Sequence, residues 1–329
     1  VGLAGNLAAL AQGRRYLDED LNRIWRRERI ERLRSGKEPA TAEERELAEL
    51  DREIQAVLST AVGPVYLLDL HSVSGPGLAF TVLDDTLANR AFALEMGVPM
   101  VLGIEEELPA TVMYYLSRHA GFVGAGFEGG QHEDPVAVDR CEAAVWVALQ
   151  VARLLPAGGF DHEAERSRRL LAEHSSGLPR VVEVRDRHAI TPQDRFEILP
   201  GLAGFQPVAQ GQVLAHDRQG EVRSREAGLL LMPLYQPQGD DGFFLVRPVR
   251  PVWLRVSEAL RRLSVDRRLH WLPGIARHPE RPDVYLVDQR WARFGALGFF
   301  HLLGYRREGP KGRILTMARR SGDLRGSST

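Results

Sequence analysis

Residues 63–72, Gly-Pro-Val-Tyr-Leu-Leu-Asp-Leu-His-Ser, constrain the fold more than any other stretch. Val65, Tyr66, Leu67, Leu68 and Leu70 form a short apolar run opened by Gly63-Pro64. Such a run predicts a strand buried on both faces, as in a sheet covered by helices. It ends in Asp69, His71 and Ser72, at the carboxyl end where ligand sites collect in open α/β sheets. A strand end gives a metal-binding imidazole stiff support, and a nearby Asp gives its second ring nitrogen an acceptor. A lone His also suits packing under a loop, so the rest of the chain must decide.

The 329 residues, 44% hydrophobic and 26% charged, suffice for one large core and a smaller domain. No apolar run reaches membrane-spanning length, since the closest, residues 143–155, is broken by Gln150 and Arg153. The single cysteine, Cys141, excludes an internal disulfide and a multi-cysteine metal cluster. That fits a reducing cytoplasm and leaves His and carboxylates as candidate metal ligands. The net charge of −1 hides an asymmetry, because residues 247–329 hold 18 Lys+Arg against 7 Asp+Glu. These cations are scattered among Trp253, Trp271, Trp291 and Phe299 without a nucleic-acid-binding motif. The basic region is therefore expected to dock on the acidic body or be solvated, with neither nucleic acid nor membrane as partner.

Along the chain, a charged helix is expected over residues 20–34, and a second from the capping box Thr41-Ala-Glu-Glu44. Strands at residues 78–83, 99–104 and 122–127 alternate with helices at 85–95 and 110–119, which predicts an α/β layered domain. Asp134-Pro135 opens a long buried helix. After Pro156-Ala-Gly-Gly159 a polar stretch leads out of the domain. Short strands at 181–184, 196–199, 212–215, 229–232 and 243–246 then suggest a small β domain. A helix near 252–263, a strand at 283–288 and a helix near 291–303 make an extension, and residues 321–329 are expected to be disordered. The divisions fall at 1–160, 161–250 and 251–329.

Three polar clusters adjoin element ends. The first, Arg14 to Arg23, holds Arg15, Asn22 and Arg23, groups able to grip a carboxylate. The second is Asp69-Leu70-His71. The third starts at Glu128, after an apolar strand, where a carboxylate could serve as a general base or the segment could be a capped helix entry. Together with Gly5-Asn6, Glu128-Gly129-Gly130-Gln131, Pro200-Gly201, Phe205-Gln206-Pro207-Val208 and Met232-Pro233-Leu234-Tyr235, these clusters resemble the succinylglutamate desuccinylase/aspartoacylase family. The resemblance spans roughly residues 1–247.

That family consists of zinc hydrolases related to metallocarboxypeptidases. The resemblance implies a mixed sheet with helices on both faces, a small β domain and, outside the family core, an α+β C-terminal extension. It implies Zn2+ as cofactor with His71 as a ligand, Glu128 as the base, and Arg15 polarising the acyl carbonyl. Asn22 and Arg23 would clamp the substrate carboxylate, with Arg118 and Tyr114 also in the pocket. The implied activity is hydrolysis of the amide or ester of a small acylated amino acid, an anion drawn in by a positive pocket. Peptide trimming by a carboxypeptidase and a metal-free binding module are the alternatives, and a homo-oligomer stays open. The family's other two zinc ligands form a His-x-x-Glu motif upstream of the Gly-Asn pair. Here that pair is Gly5-Asn6 and the chain opens on Val1, so an N-terminally incomplete domain is expected. His162-Glu163-Ala164-Glu165 repeats the spacing far from that place and reads as a surface coincidence. Phe243 stands near the position of a substrate-contacting Tyr in aspartoacylase, which points away from N-acetylaspartate.

Overall fold

The computed structural model describes every residue except 120, 157, 264, 291–295, 310, 311 and 324–329, and omits the side chains of 267, 268 and 296. Its first part runs α1 (Leu7–Leu10), α2 (Arg27–Arg34), α3 (Ala42–Thr60), β1 (Val65–Val73), β2 (Phe80–Val82), α4 (Leu87–Glu95), β3 (Met100–Leu102), α5 (Ile104–Glu107), α6 (Val112–Leu116), β4 (Phe122–Gln131) and α7 (Pro135–Val151). There follow α8 (Asp161–His174), β5 (Val181–Ala189), β6 (Glu197–Ile198), β7 (Pro207–Val208), β8 (Val213–Asp217), β9 (Gly220–Arg223), β10 (Gly228–Leu231) and β11 (Asp241–Pro248). The last part holds α9 (Pro251–Arg262), β12 (Ile275–Arg277), β13 (Val284–Asp288), α10 (Ala296–Leu302), β14 (Tyr305–Glu308) and β15 (Ile314–Arg319).

One mixed sheet organises the chain, in the order β1-β4-β2-β3-β5-β11-β10-β7. Strands of residues 181–248 thus extend the main sheet, while β6, β8 and β9 form a separate three-stranded sheet. Alternation along β4 sends Ala125 and Phe127 to one face, packed with Phe92 of α4, Val147 of α7 and Leu171 of α8. Phe122 points to the other, against Met113 and Leu116 of α6 and Ile54 and Leu58 of α3. Helices therefore cover both faces, as the sequence pattern implied.

Some local expectations give way to tertiary context. The leading strand β1 lies at the sheet edge, with Tyr66 and Leu70 exposed, because it pairs with β4 on one side only among the described residues. The helix expected over 20–34 breaks: Asp20 accepts from the Asn22 amide and caps a short turn, Leu21–Arg23, before the chain re-enters helix at Arg27. The polar stretch after residue 159 is helical, α8, because Ala164, Ser167 and Leu171 make one inward stripe against α7. His162 and Glu163 stand on its exposed side.

The basic extension docks on the acidic body. Its strands form the sheet β12-β13-β15-β14, and its arginines enter the first part of the chain. Arg320, 1% exposed, reaches Asp84 (3.4 Å) and Glu105. Arg261, also buried, pairs with Asp85 at 2.8 Å and Asp323 at 2.9 Å. Asp323 also accepts from the amide of Leu87 at the start of α4 (3.0 Å), so Ser321–Asp323 is an ordered turn instead of a disordered tail. Residues 324–329, and the start of the helix expected from 291, lie outside the described residues.

Removing one partner of a buried pair leaves a desolvated charge behind, which costs about 3–5 kcal/mol. Arg320→Met is therefore expected to lower the unfolding free energy by roughly that amount. Equilibrium denaturation of the full chain, with the exposed Arg313→Met as control, measures it.

Candidate functional site

The site forms where β1 and β4 run side by side. They pair in parallel, with Leu67 opposite Gly124, Asp69 opposite Gly126 and His71 opposite Glu128. Side chains alternate along a strand, so Asp69, His71 and Glu128 share the face on which Leu67 and Phe122 meet α6. On that face β4 reads Phe-Gly-Gly-Glu at positions 122, 124, 126 and 128. A Cβ on Gly126 would stand 2.6 Å from Val82 Cγ2, so only glycine leaves room there.

His71 and Glu128 are held in unequal ways. The His71 Nε2 lies 2.9 Å from an Asp69 carboxylate oxygen but makes no aligned hydrogen bond. That carboxylate favours the imidazolium and outweighs desolvation, so the His71 pKa is pushed up to about 9. Glu128 is 8% exposed and its Oε2 has no hydrogen-bond partner. Burial pushes its carboxyl above the usual carboxylate range, with His71 and Arg15 pulling the other way. Arg15 is anchored by Asp20, which takes its Nε at 3.0 Å and Nη2 at 2.8 Å. Arg23 donates to Asp241 at 2.9 Å, and Asp241 also receives Arg187.

A cavity of about 130 Å³ gathers Arg15, Asn22, Arg23, His71, Tyr114 and Glu128 into one lining. Arg118 lies outside it, exposed, donating to the Tyr114 hydroxyl at 3.1 Å and lining a neighbouring cavity. The Asn22 carboxamide oxygen accepts from the Val112 amide at 3.2 Å, fixing the turn to α6. Two expectations need correction. The cavity is not positive, because Arg15 and Arg23 are each paired with a carboxylate and Asp69, Asp84, Glu105, Glu128 and Asp240 also line it. Phe243 is 2% exposed and stacked 5.0 Å from His188 in the core of the β region, so it carries no information about substrate.

Asp84, Glu105 and Asp241 were not singled out from sequence. Asp84 and Glu105 close the strand regions 78–83 and 99–104, so the signal that marked Asp69 and Glu128, a carboxylate after an apolar run, was present for both.

The implied zinc can be tested against the donors. A zinc site takes three or four protein ligands. His71, with its poorly satisfied Nε2, could supply one. Among the described residues no three His, Cys, Asp or Glu side chains converge to hold a metal. These residues alone do not complete a zinc site.

Residues 1–154 match the family model described as the succinylglutamate desuccinylase/aspartoacylase catalytic domain. Through that stretch the chain is similar to the succinylglutamate desuccinylase/aspartoacylase family, a family of hydrolases. Among solved structures, it resembles a succinylglutamate desuccinylase/aspartoacylase from Rhodobacter sphaeroides at 17% identity, over 76% of this chain and 74% of that one, with a TM-score of 0.52. This likeness establishes a shared fold. Lower TM-scores are found for succinylglutamate desuccinylase from Vibrio parahaemolyticus (0.48, 16% identity, 75% and 70% covered) and murine aminoacylase 3 (0.39, 16% identity, 75% and 82% covered). No curated protein matches the sequence.

The His71 proton has a readable consequence. Its folded pKa of about 9 exceeds the unfolded value of 6.5, so the folded state binds the proton more tightly. The resulting stabilisation is complete below pH 6.5 and lost as pH rises through about 9. Urea unfolding of the metal-free chain is expected to show falling stability across that window, and His71→Asn is expected to flatten it.

Proposed function

We propose that this protein is a zinc-dependent hydrolase, placed in the cytoplasm, that cleaves the amide, or the ester, of a small acylated amino acid or similar anion. Glu128 carries the reading: a buried carboxylate with a raised pKa and one free oxygen, beside Arg15 and His71 in a cavity of small-molecule size. In this reading Glu128 takes a proton from water as the water oxygen attacks the acyl carbon. The Arg15 guanidinium faces the carbonyl oxygen and stabilises the negative charge that develops there. As the C–N bond breaks, Glu128 returns the proton to the departing amine, one residue serving as base and then acid. Zinc supplies Lewis-acid stabilisation in sites of this kind. Its place here rests on family likeness and on His71 as one ligand, and no step above runs through it.

Among the described residues no helix is long and apolar enough to cross a membrane. A second reading, a metal-free binding module, draws support from the lack of three converging donors among the described residues.

Glu128→Gln separates the two. The full chain, supplemented with zinc, is assayed for release of free amine from a panel of N-acyl amino acids. Loss of a positioned general base costs about 10²–10⁴ in rate, so kcat should fall at least hundredfold. The melting temperature should hold, since an amide of the same shape replaces a partly orphaned carboxylate. Turnover undiminished in the variant would remove Glu128 from the chemistry. No turnover by the zinc-loaded parent, with acyl amino acids still bound, would favour the binding module.

A further inference from the structure

The carboxylates of the site cavity outnumber its cations. Arg15, Arg23 and His71 are the cationic side chains of the lining, set against Asp69, Asp84, Glu105, Glu128, Asp240 and Asp241. The three cations are already claimed, by Asp20, Asp241 and Asp69 in turn. Asp84 and Glu105 take no part in those pairs, and both are buried, at 1% and 6% exposed.

The sheet puts these two away from the reacting end. Strand β2 runs antiparallel to β4, with Phe80 opposite Glu128 and Val82 opposite Gly126. Asp84 follows Val82 by two residues and so lies farther still from Glu128, roughly 13 Å along the sheet at about 3.3 Å per residue. Strand β3 runs parallel to β2, and Glu105 follows its end in the first turn of α5. The cavity therefore has a reacting end at Glu128 and an acidic end at Asp84 and Glu105, and Val82, Ile104, Leu108 and Met113 give it an apolar lining.

Each of the two carboxylates has one oxygen spent and one left over. Arg320 reaches Asp84 Oδ1 at 3.4 Å and holds Glu105 Oε1, and Arg306 also approaches Asp84 through Oδ1, at 3.5 Å. Neither arginine lines the site cavity. Asp84 Oδ2 and Glu105 Oε2 have no hydrogen-bond partner among the described residues, and a buried acceptor without a donor is costly. Burial pushes the Glu105 carboxyl up to about 7 against the pull of Arg320, and Asp84, Glu106 and Asp85 add to the rise.

We infer that Asp84 and Glu105 form a cation subsite for a terminal ammonium group, so that the acylated amino acid cleaved at Glu128 carries a basic side chain. An ammonium brings three N–H donors and a positive charge to two orphaned oxygens. The methylenes that join it to the scissile amide suit the apolar lining. A metal ion is the poorer match, since among the described residues no three His, Cys, Asp or Glu side chains converge. Asp84 and Glu105 thereby become specificity-determining residues, steadied from behind by Arg320. The identity of the ligand as a substrate rests on the hydrolase reading; the cation subsite itself does not.

The test ranks three ligands and then asks two variants to erase the ranking. Calorimetric titration of the full chain uses Nα-acetylornithine, Nα-acetylnorleucine, in which a methyl group replaces the ammonium, and Nα-acetylglutamate. The parent should bind the ornithine derivative at least tenfold more tightly than either of the others. Asp84→Asn and Glu105→Gln, amides of the same shape, should each weaken that binding at least tenfold and leave the norleucine derivative unaffected. Glu165→Gln, on the exposed side of α8, should change neither. Thermal melting identifies a variant that fails to fold; the parent's ranking requires neither variant, and one folded variant suffices. Equal binding of the three ligands by the parent, binding of none, a preference for the glutamate derivative, or a preference kept by a folded variant would each overturn the inference. Selective binding of the ornithine derivative without deacetylation of any ligand by the zinc-supplied chain would keep the cation subsite and remove the hydrolase reading. Deacetylation that favours the norleucine or glutamate derivative would do the reverse.

Discussion

The parallel ladder between β1 and β4 is the constraint from which the site follows. Backbone hydrogen bonding sets which residue faces which, and a slip of one position would turn every side chain to the opposite face. With Val65 opposite Phe122, His71 must face Glu128, and both must point to the side where α6 and the turn at Leu21–Arg23 deliver Tyr114 and Arg23. The ladder is held by packing remote from the chemistry, since Ala125 and Phe127 are sealed under α7 on the far face. Positioning and stability are thus assigned to opposite sides of the same strand.

Charge in the surrounding shell is balanced pair by pair. Asp20 holds Arg15, Asp241 bridges Arg23 and Arg187, and Arg320 from the extension binds Asp84 and Glu105 at the cavity wall. Buried pairs of this sort contribute less to net stability than to a defined geometry, because desolvation cancels much of the attraction. The extension therefore braces the wall of the site from behind, through Asp84 and Glu105, and comes from a part of the chain that the matched catalytic domain does not include.

Much of this was legible in the sequence, for reasons that can be named. An apolar run followed by a polar residue marks a strand end, and that pattern located Asp69, His71 and Glu128. Family likeness supplied the order of the clusters. Register was not legible: nothing local in Val65–Val73 or Phe122–Gln131 says which residues pair. The edge position of β1 was hidden because Tyr66 and Leu70 are apolar whether or not a neighbour covers them. The basic region was expected to dock on the acidic body or be solvated, but that Arg261 and Arg320 would be the buried ones was not legible, since burial of a guanidinium depends on carboxylates more than 150 residues away. The helix α8 escaped notice because its inward stripe is only Ala, Ser and Leu in a charged background.

Gly126 lines the site cavity, and Gly124 lies two residues before it on the same face of β4. A methyl group at Gly126 would collide with Val82, and one at Gly124 would meet the Phe122 ring at 2.6 Å and Met113 at 3.0 Å. Both positions are therefore held to glycine by the side chains packed against the strand. A single added carbon at either position would have to push Val82, Phe122 or Met113 aside, so this stretch of wall resists change one methyl at a time.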